Sequence, residues 1–300
     1  MNKLILYIEE LRAPFFTASI IPVLLGTAVA YHQSGIFNLF NFVLILIGSV
    51  FIHAGSNVSN DYFDSANGND EANKEFLRPF TGGSRLIQNR LLKPKEVMIE
   101  FIVLYAAGLI IYSFLAFKIG YFVILMGAIG VLSGYFYIAP PAFLSSRGIG
   151  EILVGLNFGP LLCCSAYYVQ TGTLSRVPVF ASIPVAFLIT AVLYINEFPD
   201  YKADKQIGKN NLVVRLGREK AVHGYLFLLL AALATVIAGV LFGILPKPSL
   251  LLLLIIPFAV VSIIELYKNY GNPSKLKIVC SFTVLMHLVG SILFILGYLL

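Results

Sequence analysis

Apolar runs of roughly 20 residues, the length that crosses a hydrocarbon core, recur at 13–32, 39–60, 97–117, 119–137, 149–169, 177–196, 221–242, 249–267 and 278–300. They predict nine transmembrane helices, with Lys118 and Gly120 dividing what would otherwise read as one segment over 97–137. The first run follows Lys3, Glu9, Glu10 and Arg12 and has no small-residue cleavage site behind it, so it reads as a retained helix. Polar residues are distributed unevenly between the runs. Most connections are a few residues long, but two stretches, about 64–96 and 201–220, are long and dense in charge, Gly and Asn. Long connections in a compact bundle serve as binding loops or lids. The expected fold is an all-α polytopic membrane bundle forming a single domain over 1–300, with two diverged four-helix halves plus a ninth helix and the two long loops as caps.

Composition agrees with the pattern. With 58% hydrophobic and 12% charged residues and a mean hydropathy of +0.87, the chain is far from the roughly 25% charge of soluble globular proteins. The placement of charge then sets the sidedness. With the N-terminus inside, every one of the 21 Lys and Arg except Lys118, Arg176 and Lys247 falls on the inner side, and all 15 Asp and Glu lie on or near the same face. The positive-inside rule therefore places both long loops in the cytoplasm and the chain as a multi-pass protein of the cell membrane. The net charge of +6 reflects this topology, with attraction to anionic lipid or a diphosphate, and gives no reason to invoke nucleic acid. Cys163, Cys164 and Cys280 all sit in apolar runs and read as free thiols packed as small hydrophobes.

The polar residues that punctuate two of the runs carry chemistry. Asn60 and Asp64 close the second run, and Asn196, Asp200 and Asp204 close the sixth, in the shared wording Asn, acid, aromatic, any, Asp. Four-residue spacing puts each set on one helix face. Carboxylates crowded at one membrane face repel one another unless cations neutralise them, and paired oxygen ligands suit Mg²⁺, which shares its shell with phosphates. Two matching clusters read as two halves of one site. In the second run His53, Asn57, Asn60 and Asp64 form a polar stripe; polar groups at such depth face the bundle interior or a wet cavity. His53 and Asn57 also fit plain hydrogen bonding to neighbouring helices.

Cationic partners follow each cluster. The loop Arg78-Pro79-Phe80-Thr81-Gly82-Gly83-Ser84-Arg85 offers a Gly-Gly pair that can form an anion nest beside Arg85, a bidentate phosphate donor. The second loop supplies Lys202, Lys205, Lys209 and Arg215. Taken singly these are ordinary solvated charges; alternating with acid clusters they match Mg²⁺–diphosphate recognition.

At this point the chain resembles the UbiA superfamily of intramembrane prenyltransferases over essentially its whole length. The superfamily's Asn-x-x-x-Asp motif after the second span and Asp-x-x-x-Asp motif after the sixth are matched by Asn60–Asp64 and Asp200–Asp204. Asn60-Asp61-Tyr62-Phe63-Asp64 with Gly68 and Asp70, Thr81 to Gln88, Leu212 to Gly217, Arg12-Ala13-Pro14 and Pro22 to Thr27 look like the branch that prenylates 1,4-dihydroxy-2-naphthoate in menaquinone synthesis. The last acid of the first motif, Asp70, stands six residues after Asp64 where the ubiquinone-type pattern has it four after, an arrangement that branch accepts.

The resemblance implies a Mg²⁺-dependent prenyltransferase moving a polyprenyl group from an allylic diphosphate to an aromatic acceptor. Asn60, Asp64, Asp200 and Asp204 would be its catalytic set. Two Mg²⁺ ions would be held by Asp64 and Asp70 with Asp200 and Asp204, assisted by Asn60 and Asn196. Arg12, Arg85, Arg147, Lys205 and Lys209 would neutralise the diphosphate. Tyr62, Tyr137 and Asn196 would meet the prenyl group or the acceptor; the same tyrosines also fit an interfacial aromatic belt. Arg147 and Glu151 fit either an ion pair that orients a loop or a direct phosphate contact. Another aromatic or lipid acceptor is the alternative within the reaction class. A membrane transporter is the alternative outside it, but transporters break their helices near the midplane, whereas here the polar clusters stand at one rim.

Overall fold

The computed structural model describes residues 3–300, in which helices are the only regular secondary structure, with no strand. The helices are α1 (Lys3–Ser34), α2 (Leu39–Ala66), α3 (Pro94–Ile119), α4 (Phe122–Ile138), α5 (Gly150–Thr171), α6 (Val177–Gln206), α7 (Arg218–Leu241), α8 (Lys247–Asn269) and α9 (Pro273–Leu299). All but α4 are long and apolar enough to cross a membrane; α4 is apolar but has only 17 residues, about 26 Å. Each apolar run of the sequence corresponds to one of these helices. The ends differ where charge follows the run: α1 reaches back to Lys3, and α6 continues to Gln206.

Two helix lengths position the site. α2 has 28 residues and α6 has 30, about 42 and 45 Å, against a hydrocarbon core of about 30 Å. Their last turns therefore stand clear of the core, and these turns carry Asn60, Asp64, Asp200 and Asp204. α2 is started by Asn38, whose side chain accepts the Asn41 N–H at 3.0 Å. It packs closely on α3, where a Cβ on Gly108 would come within 2.6 Å of Ile52.

Interruptions steer other residues inward. Arg12 takes a left-handed conformation (φ 56°) ahead of Pro14, dividing α1 into Lys3–Glu10 and Thr17–Ser34. In α5 the residues Asn157–Leu161 form a π-turn around Pro160, whose missing N–H breaks the ordinary ladder. Two large apolar clusters, with a small third one around Ala18, Ile189 and Val192, make the interior. One gathers α2 and α3 residues such as Ile45, Val58, Phe101 and Tyr112; the other gathers α6, α7 and α9 residues such as Val185, Tyr194, Tyr225 and Phe294. Cys163, Cys164 and Cys280 are free thiols, the first and last buried.

Candidate active site

The last turns of α2 and α6 face each other across a cavity of about 270 Å³. Along α2 its wall is Ser49, Ile52, His53, Ser56, Asn57, Asn60 and Asp64, the three- and four-residue spacing of one helix face. α6 contributes Ile189, Val192, Leu193, Asn196, Glu197, Asp200 and Asp204. The wall thus changes from apolar to carboxylate and amide toward the loop end.

The two long loops close over that end. Lys209 Nζ lies 3.7 Å from both Asp64 Oδ2 and Asp204 Oδ1, joining the motifs. Asn69 Nδ2 donates to Asp64 Oδ1 at 3.3 Å and to Asp204 Oδ1 at 3.2 Å, Asn211 Nδ2 to Asp204 Oδ2 at 2.8 Å, and Asn73 Nδ2 to Asp200 Oδ1 at 2.7 Å. Asp70 accepts from Gln88 Nε2 at 2.7 Å. Burial, with Asp64 and Asp61 close by, pushes the Asp70 carboxyl up to about 8. Burial disfavours the Lys209 ammonium, but Asp204 and Asp64 outweigh it and hold its pKa well above the usual lysine value.

The donor set fits a hard divalent cation. Asp64, Asp70, Asp200 and Asp204 are oxygen ligands on one cavity, and Asn196 Oδ1 is buried with no hydrogen-bond partner among the described residues. As they stand, no three acids or other ligating side chains among the described residues converge on one point; Lys209 and Asn69 stand between Asp64 and Asp204.

Of the residues singled out from sequence, Asn60, Asp64, Asp70, Asn196, Asp200, Asp204, Arg12, Lys209 and Tyr137 all line the cavity. Four do not. Arg85 braces the first loop, donating to the carbonyls of Asp70 at 2.7 Å and Asn73 at 3.3 Å while lying over the Phe76 ring. Arg147 is exposed and donates to the carbonyls of Ala142 and Pro141, so it neither pairs with Glu151 nor meets the cavity. Lys205 is exposed beside Tyr201, and Tyr62 packs against Phe63 and Phe101 on the α3 side. The Gly-Gly pair does reach the cavity: Gly82 (φ 86°) and Gly83 (φ 61°) are both left-handed, and a Cβ on Gly83 would come within 2.9 Å of Asp61 Oδ1.

Other participants escaped the sequence reading. Asn69, Asn73 and Asn211 stand in or at the ends of two short loop helices, Asn69–Ala72 and Leu212–Leu216, too brief for periodicity to mark a facing side. Glu197 lines the cavity with a buried Oε2 that has no hydrogen-bond partner among the described residues, while Glu151, singled out from sequence beside Arg147, instead accepts the Leu212 N–H at 2.6 Å. Beneath Arg12 lies a buried acid network: Arg12 pairs with Asp61 at 3.3 Å, Asp61 accepts the Ser84 N–H at 2.7 Å, and Ser84 Oγ donates to Glu10 at 2.5 Å. It ties the break in α1 to the Gly82-Gly83 loop.

A family model described as the UbiA prenyltransferase family matches residues 19–299. Among curated proteins, UbiA prenyltransferase domain-containing protein 1 of Danio rerio is 30% identical over 220 residues, 72% of this chain and 62% of that protein's length. The 2-carboxy-1,4-naphthoquinone phytyltransferase of Synechocystis is 26% identical over 293 residues, 98% of this chain and 92% of the relative. The 1,4-dihydroxy-2-naphthoate octaprenyltransferase of Bacillus subtilis is 27% identical over 211 residues, 70% of this chain and 66% of the relative. Among solved structures, a UbiA homolog from Archaeoglobus fulgidus superposes with a TM-score of 0.63 in its form bound to DMAPP and Mg²⁺ (19% identity, 95% of this chain, 98% of that one). In its form bound to GPP and Mg²⁺ the TM-score is 0.66 (19% identity, 98% of each chain). At these identities the structural likeness is one of fold; the family match covers nearly the whole chain, and the chain belongs to the UbiA prenyltransferase family.

Proposed function

We propose that the protein transfers a polyprenyl group from an allylic diphosphate to an aromatic acceptor, 1,4-dihydroxy-2-naphthoate, in a Mg²⁺-dependent reaction at the cytoplasmic face. The observation that carries this reading is the meeting of two carboxylate motifs from α2 and α6 at the polar mouth of one cavity whose depth is apolar. A diphosphate with a lipid tail has that same division of polarity. Two relatives named for naphthoquinone and naphthoate prenylation cover 98% and 70% of this chain, which supports the acceptor. The concentration of Lys and Arg on the motif side supports the cytoplasmic placement.

Asp64 and Asp70 with Asp200 and Asp204, assisted by Asn60 and Asn196, would hold two Mg²⁺ ions. Bound Mg²⁺ supplies positive charge to the diphosphate oxygens as the bond to the allylic carbon breaks. Lys209 and Arg12, the two cations on the cavity wall, add to that stabilisation of the leaving group. The Tyr137 ring offers a π face to the allylic cation. Apolar side chains of α5 and α6 keep water from it.

The test is prenyl transfer by the purified protein in detergent, with a labelled polyprenyl diphosphate and 1,4-dihydroxy-2-naphthoate, with and without Mg²⁺, beside Asp64→Ala and Asp200→Ala. The expected result is a prenylated naphthol that needs Mg²⁺ and falls at least about a hundredfold in both variants. Donor hydrolysis without transfer would reject this acceptor. Absence of any Mg²⁺-dependent donor turnover, over several donor lengths, would overturn the reading.

A further inference from the structure

Below the carboxylates the cavity turns apolar, except for a band of polar groups that the proposed diphosphate chemistry does not use. His53 is buried on α2, 7% exposed, and lines the cavity. Its Nδ1 lies 2.6 Å from Ser19 Oγ, and its ring is held by Phe16 at 5.7 Å and Phe158 at 4.7 Å between centroids. Among the described residues nothing partners its Nε2. Asn57 donates through Nδ2 to the Leu11 carbonyl at 3.1 Å, and its own Oδ1 has no partner among the described residues. Across the cavity, the Asn157 Oδ1 accepts from Ser133 Oγ at 3.0 Å, and its Nδ2 has no partner among the described residues.

Helix geometry sets these groups in depth. Asn57 lies seven residues inward from Asp64 on α2, about 10 Å below the mouth, and His53 about 6 Å deeper; Asn157 is brought to the same band by its neighbour Phe158, whose ring lies 4.7 Å from that of His53. The π-turn that begins at Asn157 lets both Asn157 and Phe158, neighbours in sequence, face the cavity, and such turns are frequent at functional positions.

Polar groups set in an apolar wall are costly unless a ligand or water completes them. An isoprenoid tail at this level would leave all three unpartnered. A ring carrying hydroxyl groups would satisfy them: the Asn57 oxygen accepts from a hydroxyl, and the free ends of His53 and Asn157 pair with another. Resting on the reading of the protein as an aromatic prenyltransferase, we infer that His53, Asn57 and Asn157 are the acceptor-binding residues. They hold the hydroxyls of the acceptor ring just below the diphosphate and so fix which ring carbon faces the allylic carbon. The bond that forms joins that ring carbon to the allylic carbon as diphosphate departs, and the ring proton is lost.

The inference is tested with the full chain in detergent and Mg²⁺, comparing 1,4-dihydroxy-2-naphthoate with 1-hydroxy-2-naphthoate, which lacks one hydroxyl. Wild type, Asn57→Leu, Asn157→Leu and the milder Ser133→Ala are each measured for acceptor KM, donor KM and donor hydrolysis without acceptor. Sites built to hydrogen-bond a hydroxyl discriminate strongly against its absence. Wild type should therefore prefer the dihydroxy acceptor by at least about a hundredfold in kcat/KM. At least one asparagine variant should cut that preference about tenfold or more, with donor KM and donor hydrolysis held near wild type; Ser133→Ala should act in the same direction more weakly. An unchanged preference in every variant that runs as a monodisperse species would overturn the inference while leaving the prenyltransferase reading in place. A matching rise in donor KM would overturn it too, by assigning the band to the tail. A wild type with no Mg²⁺-dependent donor turnover would remove both.

Discussion

Replacing Lys209 with methionine separates its two jobs. Its ammonium stands 3.7 Å from carboxylates of both motifs, and all three side chains are almost wholly buried. At an effective dielectric of about 20, each contact is an attraction of about 4 kcal/mol before desolvation is charged against it. Removing the cation leaves Asp64 and Asp204 facing each other without it, and breaking a buried pair in this way destabilises by about 3 kcal/mol. In chelator, Lys209→Met should therefore unfold at a clearly lower temperature than wild type. Mg²⁺ should return most of the loss, since a cation that binds only the folded state at a hundred times its Kd adds about 2.7 kcal/mol. Mg²⁺ should also bind the variant at least as tightly as wild type, because no ammonium competes for the carboxylates. Prenyl transfer should nonetheless fall about a hundredfold, since one of the cations proposed to stabilise the leaving group is gone. Thermal unfolding in chelator and in Mg²⁺, a Mg²⁺ titration and an initial-rate assay decide it. An equal loss of stability with and without Mg²⁺ would refute the competition between lysine and metal, and unchanged stability in chelator would mean that the asparagine amides alone hold the carboxylates.

The other expectations concern Asp70 and Arg147. Asp70 has its pKa raised to about 8 by burial and by Asp64 and Asp61. The favourable contribution of its protonated form is complete below the ordinary carboxyl range and is lost as pH rises through about 8. Stability in chelator should thus decline from pH 6 to 8 while Mg²⁺ affinity rises over the same window, because the ion takes the carboxylate; thermal unfolding and Mg²⁺ titration at several pH values check both, and an affinity flat with pH would remove Asp70 from the ligand set. Arg147 spends its guanidinium on two loop carbonyls outside the cavity. Arg147→Ala should lower transfer less than about threefold, as for surface changes worth about half a kcal/mol, and a tenfold loss of kcat/KM would return it to the diphosphate site.

Hydropathy made the helices legible because their apolar runs are long enough to cross a membrane, and spacing made the motif residues legible because helix geometry is periodic. Asn60 and Asp64, or Asp200 and Asp204, share a face by geometry alone, and both pairs line the cavity. The same geometry explains Tyr62. Two residues before Asp64, it points about 160° away from that face of α2, onto Phe101 of α3. Lys205 stands about 100° round α6 from Asp204 and faces solvent. Loop residues carry no such phase: Lys209 and Arg147 are equally basic in the sequence, and only the path of the chain separates them. Asn69, Asn73 and Asn211 were hidden for the same reason. Asn157 was hidden by the π-turn, which changes the helical register where it acts.

The excess length of α2 and α6 connects these observations to the chemistry. Each exceeds the hydrocarbon thickness by about 12 Å or more, enough for two turns beyond the core. One continuous helix therefore presents carboxylates at its wet end and Ile52, or Val192 and Ile189, at its dry end to the same cavity. A rigid helix fixes the distance between these environments, which a loop would leave adjustable. Under the proposed reaction, negative charge grows on diphosphate oxygens at the wet end while positive charge grows on an allylic carbon toward the dry end. Oxygen ligands and cations can then stabilise the first without bringing water to the second. The loops need only close the mouth, and their contacts do this: Asn69, Asn73 and Lys209 cross from one motif to the other. These crossing bonds end on the same carboxylates that would hold the proposed ions, and because each carboxylate oxygen keeps a second lone pair, the loops that close the mouth also orient the ligands.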